Sequence, residues 1–558
     1  MLDLRIDNAV IYDGSGGAAQ CGCIAVKDGR IVGVGAVQGP AHTVVDAQGL
    51  ALMPGIVDTH THYDAQITWD SYANPSPALG VTTLIMGNCG FTIAPCRPAD
   101  RDLTMRNLTH VEGMSLEALR AGIDWDFESF PEYVEMLERK GVGPNVACFV
   151  GHSGVRTFVM RADAARRAAS DEEILQMRRI VIEAMEAGAC GFSTTRSYQH
   201  NGEAGIPMPS RLAQEQELLA LSGALREGRK GLLMMTKASD TPVPWIESLA
   251  AAADRPYLVA ALLHSNLTPE ATFEDLQHIA AARTRGRQLY GAVSACPLNF
   301  EFTLHEPYVF EGLAAWQPLM KMDEARIRKT LGDPAFRQSL KDELDKRARR
   351  MFTGEWDKAY VAQAADPAHA SYEGQSIEAL ARRADAHPVD FLLDLALSED
   401  LDTLFTATLL NSDEEAVGRM LKDPNAIVSL SDAGAHLTFL CDAGFGLHLL
   451  GYWVRERQLM PLERAVKKLT SEPARLFGIR DRGTIAPGKW ADLLLFDPAS
   501  VGRGKSERVY DLPAGASRIN TPAAGVHGVW VNGQLVADAR GLLPHAPRAG
   551  QVLRDFAG

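Results

Sequence analysis

Two rhythms of hydrophobic residues divide the chain. Near its start, LRIDNAVIYDG, CIAVKDGRIVGVG and TVVDAQGLALMPG mix β-branched and polar positions and break at Asp-Gly and single glycines. That texture predicts short strands joined by tight turns. It returns toward the other end in ADLLLFDP and GVHGVWVNGQLV. Strand-rich ends flanking a long middle predict a small β-sandwich built from both termini. In the middle, the runs GIVDTHTH, VTTLIMGNC, NVACFVGH, ACGFSTT, GLLMMTK, YLVAALLH, QLYGAVSAC and AIVSLSD are short and nearly all apolar. Strands buried on both faces have that composition. Most are followed by a loop and then a helical period, as in EEILQMRRIVIEAMEAG. Eight such units predict a (β/α)8 barrel of the TIM type.

The expected organisation is therefore 1–53 as the first part of the sandwich, 54–480 as the barrel, and 481–558 as the second part with a C-terminal tail. The stretch between the seventh and eighth strands, about residues 300–425, contains DEARIRKTLGDPAFRQSLKDELDKRARRMF and SIEALARRADAHPVDFLLDLAL. It predicts a helical insertion at the barrel's active-site end, suited to a lid or substrate wall and equally to packing or oligomer contacts.

The strongest chemical signal is MPGIVDTHTHYDAQ. His60 and His62 are two residues apart on a strand, so both imidazoles point to one face. At a barrel strand's carboxyl end that face is the mouth, and paired neutral imidazoles there predict a zinc site. Cys89 ends the second strand in MGNCG. By itself it reads as a small buried hydrophobe, although a thiolate is also a strong zinc ligand. Asp432 ends the eighth strand in SLSDAGAH, and a carboxylate there can take a proton from water and return it to a leaving amine.

Pro54, Gly55, Asp58, His60 and His62 together resemble the opening of the barrel in the amidohydrolase superfamily, which includes ureases and dihydropyrimidinases. Gly-Asn-Cys-Gly around Cys89 resembles the D-aminoacylase branch, the N-acyl-D-amino-acid deacylases. The similarity extends through GHSG (His152, Ser153), GFSTTRSY and LTSEPARLFGIRDRGTIAPGKWADLLLFDP, so it spans nearly the whole chain. It implies a zinc-dependent hydrolase of amide C–N bonds. Cys89 and His264 would join His60 and His62 as ligands, and Asp432 would be both ligand and general base. Tyr198 would lie in the substrate pocket, with Ser153 and His436 as further substrate contacts.

The pattern also departs from that branch. The histidine it carries on the fifth strand is replaced by Thr236 and Lys237, so one zinc is expected and a second is left open. Lys237 carries a further reading as a carboxylated ligand. The lysine that grips the substrate carboxylate two residues past His264 is Asn266 here, which leaves Arg196 or Lys237 to replace it. The same metal chemistry would equally open a cyclic amide, a carbamate or a lactone, and a non-catalytic scaffold is the remote alternative. A serine esterase is disfavoured because no G-x-S-x-G elbow stands at a strand-to-helix turn.

Composition adds exclusions. The net charge of −14 repels nucleic acid and anionic membranes. No apolar run reaches the roughly 18 residues of a membrane span. The start lacks the basic and apolar regions of a secretion signal, and the eight scattered cysteines suit reduced thiols. A cytoplasmic enzyme with a small-molecule partner is expected, with homo-oligomerisation left open.

Overall fold

The computed structural model describes residues 1–202, 205–346, 351–437 and 442–556. Its centre is an eight-stranded sheet in which every pairing is parallel. The strands are β1 (Ile56–Asp58), β2 (Val81–Met86), β3 (Asn145–Gly151), β4 (Gly191–Thr195), β5 (Leu232–Thr236), β6 (Tyr257–Leu262), β7 (Leu289–Val293) and β8 (Ala426–Val428). Each falls within one of the eight apolar runs. Burial of nearly every residue of these strands explains the absence of polar alternation.

The sheet curls until its first and last strands meet. Thr61 and Ala433 form a parallel bridge beyond β1 and β8. The His62 N–H donates to the Ala433 carbonyl at 2.8 Å, and Ser431 Oγ donates to the His60 carbonyl at 3.0 Å. Gly434, at φ +90°, lies against this seam. A Cβ there would stand 2.8 Å from the His62 carbonyl carbon and the Tyr63 nitrogen, so only glycine fits.

The two ends of the chain share one nine-stranded sheet. Leu2–Ile11, Gln20–Lys27, Arg30–Gly35, Ala41–Asp46 and Ala51–Pro54 come from the beginning. Leu493–Phe496, Val526–Val531, Gln534–Asp538 and Gly541–Leu542 come from the end. The halves join where Ala51–Pro54 pairs antiparallel with Leu493–Phe496. Alternation along that strand gives each face a partner. Leu493 and Leu495 pack with Ile6, Ile24 and Leu52 in a separate core, while Leu494 and Phe496 join the barrel's core.

The segment between β7 and β8 differs from the all-helical expectation. It holds the helices Glu324–Leu331, Pro334–Leu344, Ile377–Arg383 and Pro388–Ser398, but also a three-stranded antiparallel sheet of Leu298–Phe302, Ala359–Gln363 and Leu404–Leu410. The central strand, LFTATLL, alternates half-buried and buried residues, the signature of a sheet with one covered face. This subdomain has its own core, with Phe302, Phe310, Trp316 and Phe405 in edge and stacked contacts. No helix among the described residues is long and apolar enough to cross a membrane.

Candidate active site

The chemical groups collect where the carboxyl ends of β1, β2, β5 and β8 converge. Ligand atoms of His60, His62 and Cys89 all lie within 4.8 Å of one another, and all three residues are buried. His60 Nε2 is 3.1 Å from Asp432 Oδ1, and His62 Nε2 is 3.6 Å from the same oxygen. Cys89 Sγ is 3.5 Å from His60 Nε2 and 3.1 Å from Thr236 Oγ1. The Asp432 side chain keeps 24% exposure where His60 keeps 2%. The carboxylate is thus the member of the cluster that an entering molecule can reach.

Backbone conformation concentrates on the same residues. Cys89, Leu430, Asp432 and His436 have φ between +46° and +64°. A left-handed conformation costs an L-residue roughly 1–2 kcal/mol, and its clustering here marks a site held in place by its surroundings.

The charges are strongly coupled. Burial opposes a charge on His60, but the facing Cys89 and Asp432 outweigh it and raise its pKa to about 9. Burial likewise opposes charge on His62, which Glu112 and Asp432 overcome, holding it well above the ordinary histidine range. Burial alone would raise Cys89 and Asp432, yet the neighbouring imidazoles bring both down. Two anions and two imidazoles sharing one dry pocket form an arrangement that a divalent cation satisfies in place of protons. Imidazole nitrogen and thiolate sulfur are also zinc's preferred donors. The residues present therefore fit a zinc ion.

Glu112, which carries no motif, emerges as part of this site. It follows the helix Arg101–Val111, is buried, and sets Oε1 3.0 Å from His62 Nδ1. A carboxylate behind a ligating imidazole fixes the tautomer that turns the other nitrogen toward the cation. The His436 N–H donates to the Glu112 carbonyl, which ties the β8 loop to the same residue.

His200 is a second addition. Thr195 Oγ1, at the end of β4, accepts from the Ser197 N–H and donates to the Thr236 carbonyl. It also shares a hydrogen bond of 2.7 Å with His200 Nδ1. Burial and the nearby His436 and His62 press this histidine down to about 3, so it stays neutral. Its ring meets Phe91 edge-on at 5.0 Å, and Phe91 stacks on His62 at 6.4 Å.

The other anticipated residues are placed as follows. His264 is buried at the end of β6, with its N–H held by Asn411 Oδ1 at 2.7 Å, and lies outside the three-donor group. Its charged neighbours are Asp413, Glu270, Arg419 and Glu355. Lys237 points away from the cluster and pairs with Asp275 at 2.6 Å. That ion pair requires a free ammonium and leaves Thr236 as the fifth-strand residue facing Cys89. Arg196 donates to the Arg211 and Ala213 carbonyls and lies 3.6 Å from Asp240. Ser153 is buried in a hydroxyl pair with Ser210 at 3.0 Å. Its neighbour His152 bridges Thr194 and Glu217. Tyr198 is 52% exposed in the loop after β4. His436 lies in the field of Glu112, Asp432 and His62. Asn266 donates to Glu355 and Ser412.

Comparison with known proteins agrees with this geometry. The model of the amidohydrolase family matches residues 43–537. The chain belongs to the amidohydrolase family. Within it the chain falls in the D-aminoacylase-like branch. It is 30% identical to the N-acyl-D-aspartate deacylase of Alcaligenes xylosoxydans xylosoxydans over 99% of this chain and 95% of that protein. The N-acyl-D-glutamate deacylase of the same organism is 28% identical over 99% and 96%. Among solved structures, the N-acyl-D-glutamate deacylase from Bordetella bronchiseptica, complexed with zinc and a phosphonate inhibitor, superposes with a TM-score of 0.67 at 25% identity, covering 99% of this chain and all of that one. D-aminoacylase, described with a binuclear metal centre, shares the fold at a TM-score of 0.67 and 23% identity over the full length of both chains.

Proposed function

We propose that this amidohydrolase removes the acyl group from an N-acyl-amino acid, of the D series by its likeness to the deacylases, with one zinc ion at the carboxyl end of the barrel. The observation that carries this reading is the convergence of His60, His62 and Cys89 beside the half-open carboxylate of Asp432. Zinc in such a site polarises a carbonyl and lowers the pKa of a water from 15.7 toward about 7.

The chain supplies the rest. Glu112 orients His62 so that Nε2 faces the donors. Asp432 Oδ1, beside both imidazoles, is placed to take a proton from water and hand it to the departing nitrogen. Phe91, stacked on His62, limits water near the cluster, which strengthens each electrostatic contact within it. The barrel with its helical and strand-bearing insertion (54–480), completed by a sheet from 1–53 and 481–558, is the domain arrangement that serves this site. His264, Tyr198 and His436 are proposed to line the acyl and amino-acid subsites around it.

The test is metal analysis paired with a panel of N-acyl-D- and N-acyl-L-amino acids, a hydantoin, a carbamate and a lactone. We expect about one zinc per chain, activity abolished by chelation and restored by zinc, and preference for the N-acyl-D-amino acids. An Asp432→Asn variant that keeps its zinc should lose nearly all turnover. Full turnover by that variant would overturn the assignment of the base.

A further inference from the structure

A second cavity lies at the opposite end of the barrel. It is lined by Gly231, Pro256 and Gln288, which precede β5, β6 and β7, and by the segment leaving the helix Ser471–Leu476. Its volume is about 480 Å³. The metal site occupies the carboxyl ends of the strands, so the barrel separates the two.

The lining is basic in a chain whose net charge is −14. Arg255, Arg475, Arg480, Arg482 and Lys489 contribute to it, against the single carboxylate of Asp254. Most of this charge is not neutralised within the protein. Arg255 donates to the carbonyls of Gly231 and Arg229 at 3.0 Å, and Lys489 donates to the Arg480 carbonyl. Those bonds orient the two cations without cancelling them. The Arg475 and Arg480 side chains are exposed and have no ion-pair partner among the described residues.

Arg482 is the built part of the site. It is only 3% exposed. Its terminal nitrogens are held by Asp492, Asn532 at 2.7 Å and Gln551 at 2.9 Å. Its Nε is buried and has no hydrogen-bond partner among the described residues.

We propose that this cavity binds a phosphate dianion, free or as the phosphomonoester of a small organic molecule. The Arg475 and Arg480 guanidiniums can meet phosphate oxygens in pairs, the excess of cations over carboxylates in the lining favours charge above one, and the volume exceeds what inorganic phosphate alone fills. A site remote from the metal centre, on the same barrel, is suited to an effector.

The experiment is isothermal titration of the zinc-loaded full-length protein with inorganic phosphate and, separately, with glycerol 3-phosphate. Chloride and acetate at matched ionic strength are the controls. Saturable one-to-one binding of either phosphate, absent with both controls, is expected, and the tighter of the two identifies the source. Arg475→Gln with Arg480→Gln should weaken it by about tenfold or more, from the loss of charge-assisted bonds, while zinc content and hydrolysis stay unchanged. Arg480→Gln alone, at an exposed position outside any helix or strand, guards against loss of folding and should weaken binding in the same direction. Heats no larger than those of chloride, or double-variant binding as tight as wild type, would overturn the proposal.

Discussion

Replacing Glu112 by Gln or Ala separates orientation of a zinc ligand from its presence. Glu112 Oε1 stands 3.0 Å from His62 Nδ1, and the two side chains are 2% and 4% exposed. Glutamine has the same reach, and its carbonyl can still accept from Nδ1, so the tautomer survives while the charge is lost. Alanine removes the carboxylate from beside the imidazole altogether. Loss of such a supporting carboxylate weakens metal binding by about 10–100-fold, or about 1.4–2.7 kcal/mol. We place Glu112→Gln near the lower figure and Glu112→Ala near the upper one. Competition against a calibrated chelator gives the zinc dissociation constant, and turnover at saturating zinc reports whether the loaded site still works. For Gln it should recover most of the wild-type rate, because Asp432 and the three donors are untouched. Zinc binding as tight as wild type in both variants would refute the coupling of Glu112 to His62.

Three further outcomes follow from the same geometry. His60 must be neutral to donate its lone pair, and without a cation its pKa is raised to about 9. Protons therefore compete with zinc below that pH, and apparent affinity should fall as pH drops, about tenfold per unit for each proton displaced; a flat profile in a chelator competition from roughly pH 6 to 9 would contradict this. His200→Phe removes the polar imidazole beside Phe91 and should lower kcat/KM for the N-acyl substrate about three- to tenfold, with the zinc dissociation constant unchanged. A loss of zinc instead would show that His200 acts through the metal site. Gly434→Ala places a methyl 2.8 Å from the His62 and Tyr63 backbone at φ +90°, and it should lower both thermal stability and zinc occupancy. Calorimetry and metal analysis check the pair, and a fully zinc-loaded, equally stable variant would refute the tight seam.

What the sequence makes legible is what has a period or a fixed spacing. Strands buried on both faces leave apolar runs, so all eight barrel strands could be read. The i, i+2 spacing of His60 and His62 states their common face before any coordinate is known. Cys89 could be read only through its resemblance to a family, because a lone buried thiol has no distinguishing pattern. Glu112 and His200 escaped because their positions depend on where a helix ends and how a loop returns. A search for acidic residues anywhere between the second and third strands would have included Glu112 among many others. Lys237 and Thr236 show the opposite case. They are adjacent, so strand alternation puts only one inside, but which one depends on the register of β5 with β4 and β6. The strands of the β7–β8 subdomain were missed because apolar stretches such as FLLDLAL and LFTATLL follow each other closely and only one of them is a helix.

The seam explains why so much of the chemistry is gathered at one point of the rim. A barrel of eight strands has one junction between its first and last members, and here it is fastened just beyond the regular strands, at Thr61 and Ala433. His60 and His62 flank the first of these residues, and Asp432 immediately precedes the second. The hydrogen bonds that close the barrel, from the His62 N–H to Ala433 and from the Ser431 hydroxyl to the His60 carbonyl, thus both engage the backbone of a ligand. Asp432 approaches the imidazoles only if the junction closes in this register. A slip of one residue would turn its carboxylate to the other face of the sheet. The left-handed residues on the β8 side, Leu430, Asp432 and His436, are stretched over that junction, where a cation shared by the two strands would add a bond across it. Zinc binding should therefore stabilise the closed barrel, and removal of the metal should loosen the β1–β8 junction before any other pair of strands.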